Sequence, residues 1–269
     1  MPVTDRRHDL AAAAADAARR SPLRIGPSFS ELADPEELRY REEVERIADP
    51  LGDVVAWIER KELPQLLDEA LARARVEPVG TVVELGAGTC WMGAELSKRP
   101  GVERVLSVEF SRRRLQLFAP TAIAYLGGAA ERIERVLADF YNHGLQREIA
   151  DFVFTDASYH HAADPVALAR VAFDLLKPGG TVVLHREPTL SLLRRTRDHH
   201  EEGKHGDFEH EYFARQYLEQ LAQAGFERCS KHPAPLGFSP WRRAWSRPPL
   251  SWLNGIVFGS YSYVGRKPG

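Results

Sequence analysis

The chain has 269 residues, of which 43% are hydrophobic and 28% are charged, values typical of a folded protein with a sizeable core. Its formal net charge of −2 argues against a partner held by charge, such as nucleic acid or an anionic membrane. No stretch approaches the run of about eighteen apolar residues that a membrane span requires. The two cysteines, Cys90 and Cys229, form neither a CxxC motif nor a disulfide framework, so we expect a soluble, cytoplasmic protein.

The first 76 residues are predicted to form a helical extension. Residues 1–35 are rich in Ala, Arg and Pro, and we expect them to be loosely ordered, with at most a weakly amphipathic helix. Asp34 and Pro35 have the residue types of an N-cap and a first helical position, so a helix should begin there. Apolar residues at helical spacing continue from Leu51 to Val76, which indicates a helix packed on a larger body.

From residue 81 onward the pattern alternates between short apolar strands and helices. The predicted strands are 81–85, 104–110, 133–140, 149–157 and 180–187. The predicted helices are 91–99, 111–126 and 164–176, the last begun by Asp164 and Pro165. This alternation predicts an α/β fold with a doubly wound, mostly parallel sheet. Ligands of such sheets bind beyond the carboxyl ends of the strands.

The pattern changes after the fifth strand. Residues 213–226 have the spacing of an amphipathic helix, and residues 226–233 and 255–267 have the composition of two closing strands. Two segments, 188–212 and 234–254, fit neither pattern, and we interpret them as insertions that close over a substrate. The second insertion mixes Trp with Arg, which suits a planar or phosphate-bearing ligand or an oligomer contact.

The sequence "TVVELGAGTCWMG" (81–93) places two glycines between a strand and a helix. Gly86 and Gly88 would let the backbone approach a ligand closely. A dinucleotide-binding loop would need a third glycine where Trp91 stands. Glu84, in front of the loop, favours a ligand with a cationic portion over a pyrophosphate.

Acidic residues end the next two strands. Glu109 stands where a carboxylate can accept both ribose hydroxyls. Asp139 can accept a hydrogen of an adenine amino group, and Phe140 can stack on the adenine ring. Together with Glu84, these residues describe a nucleoside ligand that carries a positive charge and no phosphate.

Five sequence motifs occur in order between residues 81 and 187. They are "VVELGAG", "SVEFS", "LADF", "DFVFTDASYHHAADP" and "LLKPGGTVVL". In this order they resemble the class I S-adenosylmethionine-dependent methyltransferase family. The resemblance implies an enzyme with a Rossmann-like, seven-stranded sheet whose seventh strand is antiparallel. It also implies that residues 77–269 form the methyltransferase domain and that residues 1–76 form a helical cap.

The same resemblance implies S-adenosylmethionine as the cofactor and assigns residues to its parts. The residues that would hold the methionine part are Glu84, Gly86, Ala87, Gly88 and Thr89. The other contacts would fall on strand ends: Glu109 for the ribose, Asp139 and Phe140 for the adenine, and Asp156 and Ala157 beside the methyl group. Phe110, which follows Glu109, is also among the expected cofactor-binding residues.

Three histidines are candidates for a general base, which methyl transfer to a hydroxyl requires because an alcohol has a pKa well above 7. His160 and His161 follow the fourth strand, and His185 ends the fifth. Imidazole titrates near neutral pH, so each could accept the proton. The alternative is that one histidine of the pair caps or packs. Cys90 is interpreted as a small apolar residue, because nothing cationic adjoins it in sequence to activate the thiol.

We expect no metal site. The fourth-strand motif also resembles that of metal-dependent catechol-type O-methyltransferases, but those have an Asp-Asn pair where this chain has His185 and Arg186. A histidine-rich stretch is interpreted as a solvated lid rather than a transition-metal site, because its spacing gives no helical pair of ligands. Its residues are His199, His200, Glu201, His205, Glu209 and His210.

The expected function is methyl transfer from S-adenosylmethionine to a small-molecule acceptor, with a hydroxyl oxygen as the favoured atom. Methylation of nitrogen or carbon, or of a protein or RNA, remains open. A nucleoside-binding module without turnover is a further alternative. The absence of an overall basic face argues against RNA. We expect no nucleic-acid or membrane partner, and a homodimer remains open.

Overall fold

The computed structural model describes four stretches of the chain, residues 3–27, 46–191, 210–234 and 259–269. The chain divides into two compact units, Met1–Arg60 with Pro78–Gly144, and Lys61–Glu77 with Leu145–Gly269. The predicted helix at Pro35, most of the histidine-rich stretch and nearly all of the Trp/Arg insertion lie outside the described residues. The predicted boundary between the cap and the catalytic domain, at residues 76 and 77, stays a prediction.

The described residues form seven α-helices and nine β-strands. The helices are α1 (Val3–Arg20), α2 (Pro50–Lys61), α3 (Leu63–Ala74), α4 (Trp91–Ser97), α5 (Ala119–Leu126), α6 (Pro165–Leu175) and α7 (Ala214–Gln223). The strands are β1 (Leu23–Ile25), β2 (Gly80–Leu85), β3 (Val102–Glu109), β4 (Ile133–Leu137), β5 (Ala150–Asp156), β6 (Leu176–Leu190), β7 (Tyr212–Phe213), β8 (Glu227–Pro233) and β9 (Ser260–Arg266).

The first unit holds four parallel strands in the order β1-β4-β3-β2. Val82 and Val83 of β2 are fully buried, as expected for strands covered on both faces. Because the strands are parallel, their carboxyl ends lie at the same edge. Glu109 at the end of β3 is in register with Leu137 at the end of β4. This edge therefore presents the three predicted cofactor loops.

The expectation of a loosely ordered N-terminus is wrong for residues 3–25. Helix α1 packs on α5, and β1, which was not predicted, adds an edge strand beside β4. Arg135 of β4 explains much of this order, because its buried guanidinium donates to the carbonyl oxygens of Ala18 and Ser21. These carbonyls end α1 without helical partners, so a cation there satisfies them.

Two predicted elements differ from the pattern: one strand is shorter, and one helix is partly of another type. Strand β4 stops at Leu137 instead of residue 140, because the Asp139 carboxylate accepts the backbone N–H groups of Tyr141 and Asn142 and folds a turn. The predicted helix 111–126 contains a π-helical segment, Arg114–Phe118, and continues as α5 with Pro120 in its first turn.

In the second unit, β5 pairs with β6 in parallel, and β9 is antiparallel to both β6 and β8. The short strand β7 pairs with β6 in parallel. Asp164 caps α6 as predicted, since its Oδ1 accepts the N–H of Ala167 at 2.9 Å. An antiparallel strand late in the chain agrees with the sequence-based expectation.

The predicted fold class is confirmed: the sheet is mixed, mostly parallel and flanked by helices. The strand number differs, since nine strands are described where seven were predicted. The additional strands include β1 and β7, which have three and two residues. Elements this short carry no periodicity that a sequence pattern can reveal. In the described part of the chain, no helix is both long and apolar enough to span a membrane.

Candidate functional site

The loop between β2 and α4 contains three residues with a left-handed backbone conformation. Gly86 and Gly88 have φ of +74° and +54°, values that glycine adopts without strain. Cys90 has φ +55° and forms the N-cap of α4. The backbone N–H groups of Gly86 and Ala87 both donate to the carbonyl of Val108 at 2.9 Å, which fixes the loop to β3.

Glu109 holds the loop from the neighbouring strand. Its side chain is buried, with Oε2 accepting the N–H of Gly88 at 2.8 Å and Oε1 accepting the N–H of Ser111 at 2.9 Å. Each carboxylate oxygen has a second lone pair, so these bonds leave capacity for two more donors. The structure therefore brings Glu109 and the glycine loop together.

Glu84 lies beneath helix α4. The hydroxyl of Ser107 donates to Oε2 of Glu84 at 2.9 Å, and the carboxylate is buried. Gly93 of α4 lies against this pair, because a Cβ at Gly93 would be 2.7 Å from the Ser107 hydroxyl oxygen and 2.8 Å from Glu84 Oε2. Gly93 is thus the third glycine that matters here, and the spacing rule used on the sequence missed it.

The loop holds a buried hydroxyl without a partner and a glycine with a left-handed backbone. The hydroxyl of Thr89 is buried and has no hydrogen-bond partner among the described residues, which is costly unless a ligand supplies one. At Gly88 the φ of +54° makes a larger residue strained, whereas the atom nearest to an added Cβ, Nη1 of Arg114 at 3.0 Å, is the end of a flexible side chain that can move. Arg114, in the π-helical segment, was not singled out from the sequence.

Cys90 is not placed to act as a nucleophile. Its thiol is completely buried, and burial raises its pKa well above the usual value, with the carboxylates of Glu84 and Glu109 acting in the same direction. A thiol that resists ionisation is a poor nucleophile. It packs with Ala87, Leu115 and neighbouring apolar residues beneath the loop.

Asp139 and Phe140 occupy the loop that follows β4. The Asp139 carboxylate accepts the backbone N–H groups of Tyr141 and Asn142, at 2.7 and 2.8 Å. Its side chain is half-buried. Phe140 is half-buried too, and its ring meets that of Tyr141 edge-on, with centroids 6.4 Å apart. The backbone N–H of Ala138 donates to the carbonyl of Glu109 and ties this loop to the end of β3.

In the second unit, Asp156 ends β5 and is paired with Arg186 of β6. Nε and Nη2 of Arg186 donate to the two carboxylate oxygens, at 2.7 and 2.6 Å. Burial alone would lower the pKa of Arg186, but the Asp156 carboxylate outweighs it, and the pKa is raised. Ala157 and Arg186 both have positive φ, a strained conformation for residues with a Cβ that is common near functional sites.

His160 is held by a buried carboxylate from another strand. Its Nδ1 lies 2.8 Å from Oε2 of Glu187, and both side chains are buried. The other carboxylate oxygen of Glu187 accepts from the backbone N–H groups of Ser158 and Tyr159 and from the Thr155 hydroxyl. Glu187 therefore orders the whole turn after β5, a role that nothing in the local sequence pattern indicated.

The other two histidines differ from His160 in exposure and in partners. His185 is completely buried, and burial lowers its pKa to about 4. Its Nδ1 lies 3.1 Å from the Ser262 hydroxyl oxygen, whereas its Nε2 has no partner among the described residues. His161 is exposed, with its ring centroid 4.1 Å from that of His160.

The described residues contain no group of three or more His, Cys, Asp and Glu side chains that could hold a metal ion. The Asp156 carboxylate, the nearest counterpart of a magnesium ligand, is engaged by Arg186. Of the histidine-rich stretch only His210 is described, and its backbone N–H donates to the carbonyl of His160.

Comparison with protein families gives one match, a model described as a methyltransferase domain, over residues 56–230 of the chain. This range contains the glycine loop, all the strand ends discussed above and the three histidines. No relative is found among curated protein sequences.

Several solved structures share the fold. A chain in the Haloferax volcanii complex of the Trm112 methyltransferase activator with a proposed methyltransferase is 19% identical, with a TM-score of 0.65, and covers 89% of this chain and all of its own. The [4+2]-cyclase SpnF is 16% identical, with a TM-score of 0.62, over 93% of this chain and 99% of its own. A phosphoethanolamine N-methyltransferase 2 of Haemonchus contortus in complex with S-adenosylmethionine is 15% identical, with a TM-score of 0.57, over 90% of this chain and 62% of its own.

Proposed function

The chain belongs to the methyltransferase domain family, as a class I enzyme that uses S-adenosylmethionine, and on this basis we propose that it methylates a hydroxyl oxygen of a small molecule with His160 as general base. The observation that carries the base assignment is the 2.8 Å contact between His160 Nδ1 and Glu187 Oε2.

The residues of the first unit fit the cofactor. The methionine part would be held by the loop of Glu84, Gly86, Ala87, Gly88 and Thr89, where the Thr89 hydroxyl lacks a partner among the described residues. Glu109 would bind the ribose, with Phe110 next to it also in contact with the cofactor, and Asp139 and Phe140 would bind the adenine. Asp156 and Ala157 keep the role beside the methyl group that the family resemblance gives them. When bound, S-adenosylmethionine supplies a methyl group on a positively charged sulfur, which makes that carbon electrophilic.

His160 suits the role of base because its tautomer is set. With the proton on Nδ1, the ring donates to Glu187, and the lone pair of Nε2 is left to accept a proton from a hydroxyl. A carboxylate that orients an imidazole in this way also stabilises the imidazolium that forms. The protein thereby supplies an oriented base. The remaining rate enhancement would come from the alignment of the acceptor with the methyl group.

His185 and His161 are weaker candidates. A group with a pKa near 4 drives proton removal from an alcohol poorly, and His185 is also completely buried. His161 is exposed to solvent, where water competes for its ring nitrogens. Both remain alternatives to His160 as the general base.

The first experiment is calorimetry with S-adenosylmethionine and S-adenosylhomocysteine. Binding of both in the micromolar range is expected. The second step incubates the protein with isotopically labelled cofactor and separate pools of small molecules, peptides and RNA, followed by mass spectrometry of the labelled product. An O-methylated small molecule is expected, whereas label on nitrogen, on carbon, in peptide or in RNA would replace the proposed acceptor. Binding without turnover on any pool would favour the binding module.

The third step replaces His160 by Asn, whose amide can keep the contact with Glu187 but cannot accept the proton. A loss in kcat of about 10²–10⁴-fold is expected, with cofactor affinity unchanged. His161→Asn is the matched control, because it changes the exposed neighbour in the same way. Full activity of His160→Asn would rule out His160 as the base.

A further inference from the structure

The N-terminal segment Leu23–Pro27 lies against the loop of residues 138–144, which we call the adenine loop because it carries Asp139 and Phe140. Strand β1 pairs with β4 up to the register of Ile25 with Leu137, the last residue before the loop. The backbone N–H of Gly26 then donates to the carbonyl of Leu137 at 2.9 Å. The segment therefore reaches the loop directly from the end of the sheet.

Gly26 is in close contact with the beginning and middle of the adenine loop. A Cβ placed on Gly26 would be 2.9 Å from Cβ of Ala138 and 3.2 Å from the carbonyl oxygen of Asn142. Both distances are shorter than ordinary van der Waals contacts to a methyl group. No residue larger than glycine fits at position 26 unless the loop moves.

Pro27 and Arg24 contact the far end of the same loop. The Pro27 ring covers Gly144, since a Cβ at Gly144 would be 2.4 Å from Cδ of Pro27. Arg24 donates through Nε to Glu134 at 2.6 Å and places Nη1 3.5 Å from the carbonyl oxygen of Gly144. Both ends of the adenine loop are thus bounded by residues 24–27.

From these contacts we infer that Gly26 and Pro27 are positioning residues for the adenine subsite and set how strongly the enzyme selects an adenine over a purine without the amino group. The inference rests on the proposed function, which assigns adenine binding to Asp139 and Phe140. Asp139 accepts two backbone N–H groups and the side-chain amide of Asn142, so its direction toward a further donor is fixed by the shape of the loop. A displacement of the loop by part of an ångström would misalign that hydrogen bond, whose strength falls steeply with poor geometry.

The test compares the binding of S-adenosylhomocysteine with that of S-inosylhomocysteine, in which a carbonyl oxygen replaces the adenine amino group. The wild type should prefer the adenine ligand, because a carbonyl facing the Asp139 carboxylate offers it no hydrogen. Gly26→Ala should weaken the binding of S-adenosylhomocysteine by about tenfold and the binding of the inosine ligand much less. The ratio of the dissociation constant of S-inosylhomocysteine to that of S-adenosylhomocysteine should therefore fall.

A second substitution tests the mechanism by rescue. Ala138→Gly removes the methyl group that a new Cβ at position 26 would strike first. The double variant Gly26→Ala/Ala138→Gly should therefore recover a substantial part of the lost ratio. Gly127→Ala is the control, because its positive φ makes the change strained while a Cβ there meets nothing within 4 Å. It should lower the melting temperature and leave the ratio unchanged.

Pro27→Ala keeps the test decisive if Gly26→Ala does not fold, because it removes packing on Gly144 without adding atoms. It too should lower the ratio. The inference is overturned if the folded variants bind both ligands as the wild type does, or if both ligands weaken equally, since an equal loss is what a purely structural role produces. If the wild type binds neither ligand, the proposed function itself fails, which the wild-type measurement alone reveals.

Discussion

Glu187 Oε2 lies 2.8 Å from His160 Nδ1, and this contact joins strand β6 to the turn that follows β5. We expect Glu187→Gln to lower kcat by about 10–100-fold while leaving the affinity for S-adenosylhomocysteine unchanged. A neutral amide lacks the negative charge with which the carboxylate orients the imidazole and stabilises its protonated form. Steady-state kinetics and calorimetry on the same samples measure the two effects.

The control for Glu187 is Thr155→Val, which removes one donor to the same carboxylate without touching His160. It should cost about 1 kcal/mol of stability and little activity. An equal loss of kcat in the two variants would mean that Glu187 supports the turn and does not orient the base.

The buried hydroxyl of Thr89 predicts an unusual response to substitution. Thr89→Val removes an oxygen that has no partner among the described residues, so the ligand-free protein should keep its stability or gain up to about 1 kcal/mol. Affinity for S-adenosylhomocysteine should fall about three- to tenfold, because the bound ligand is expected to satisfy that hydroxyl.

Thr121→Val is the contrast to Thr89→Val. The Thr121 hydroxyl donates to the carbonyl of Leu117 at 3.0 Å, so its loss should lower stability by about 1 kcal/mol and leave cofactor affinity unchanged. Thermal melts with and without S-adenosylhomocysteine check both variants. A Thr89→Val protein that binds as tightly as the wild type would remove Thr89 from the cofactor site.

His185 predicts a pH dependence of stability. Burial lowers its pKa to about 4 in the folded protein, against an ordinary value of about 6.5 in the unfolded chain. Between these values the unfolded chain binds the extra proton, so folding stability falls as the pH drops from 6.5 toward 4, by about 3 kcal/mol from this group.

Replacement of His185 by Phe should remove this contribution. The difference in free energy of unfolding between variant and wild type should then shift in favour of the variant as the pH is lowered from 7 to 5. Urea unfolding at each pH measures it, and His8→Phe, at an exposed position, serves as the control. A difference that is constant with pH would show that His185 titrates normally.

The Asp156–Arg186 pair predicts strong non-additivity. The Asp156 side chain is only 7% exposed and that of Arg186 only 14%, so removal of one charge leaves the other buried without its partner. Arg186→Met alone should cost about 3 kcal/mol, and the double variant Asp156→Asn/Arg186→Met should cost less than the single change. The exposed pair of Arg215 with Glu219 is the reference, where Arg215→Met should cost under about 0.5 kcal/mol. Additive losses at Asp156 and Arg186 would contradict a coupled buried pair.

Local sequence patterns determined much of the secondary structure and of the candidate cofactor loops. The alternation of apolar strands and helices, the Asp164 cap, the glycine loop and the acid at the end of β3 were all readable, because each depends on residues near one another in the chain. Asp139 was predicted to bind the adenine, but the strand before it was predicted to be three residues too long. The strand ends early because the Asp139 carboxylate accepts neighbouring backbone N–H groups.

Tertiary structure decided which groups meet. Arg186 and Glu187 are adjacent in sequence, yet one pairs with Asp156 and the other with His160. The pairing of β6 with β9 shifts register between Leu184 and Glu187. Gly26 reaches the adenine loop only through the parallel pairing of β1 with β4. Such contacts join residues far apart in the chain, and the register that creates them depends on the packing of whole strands. The sequence by itself therefore determined the kind of ligand, and the tertiary structure determined which histidine is held in place and which segment shapes the loop.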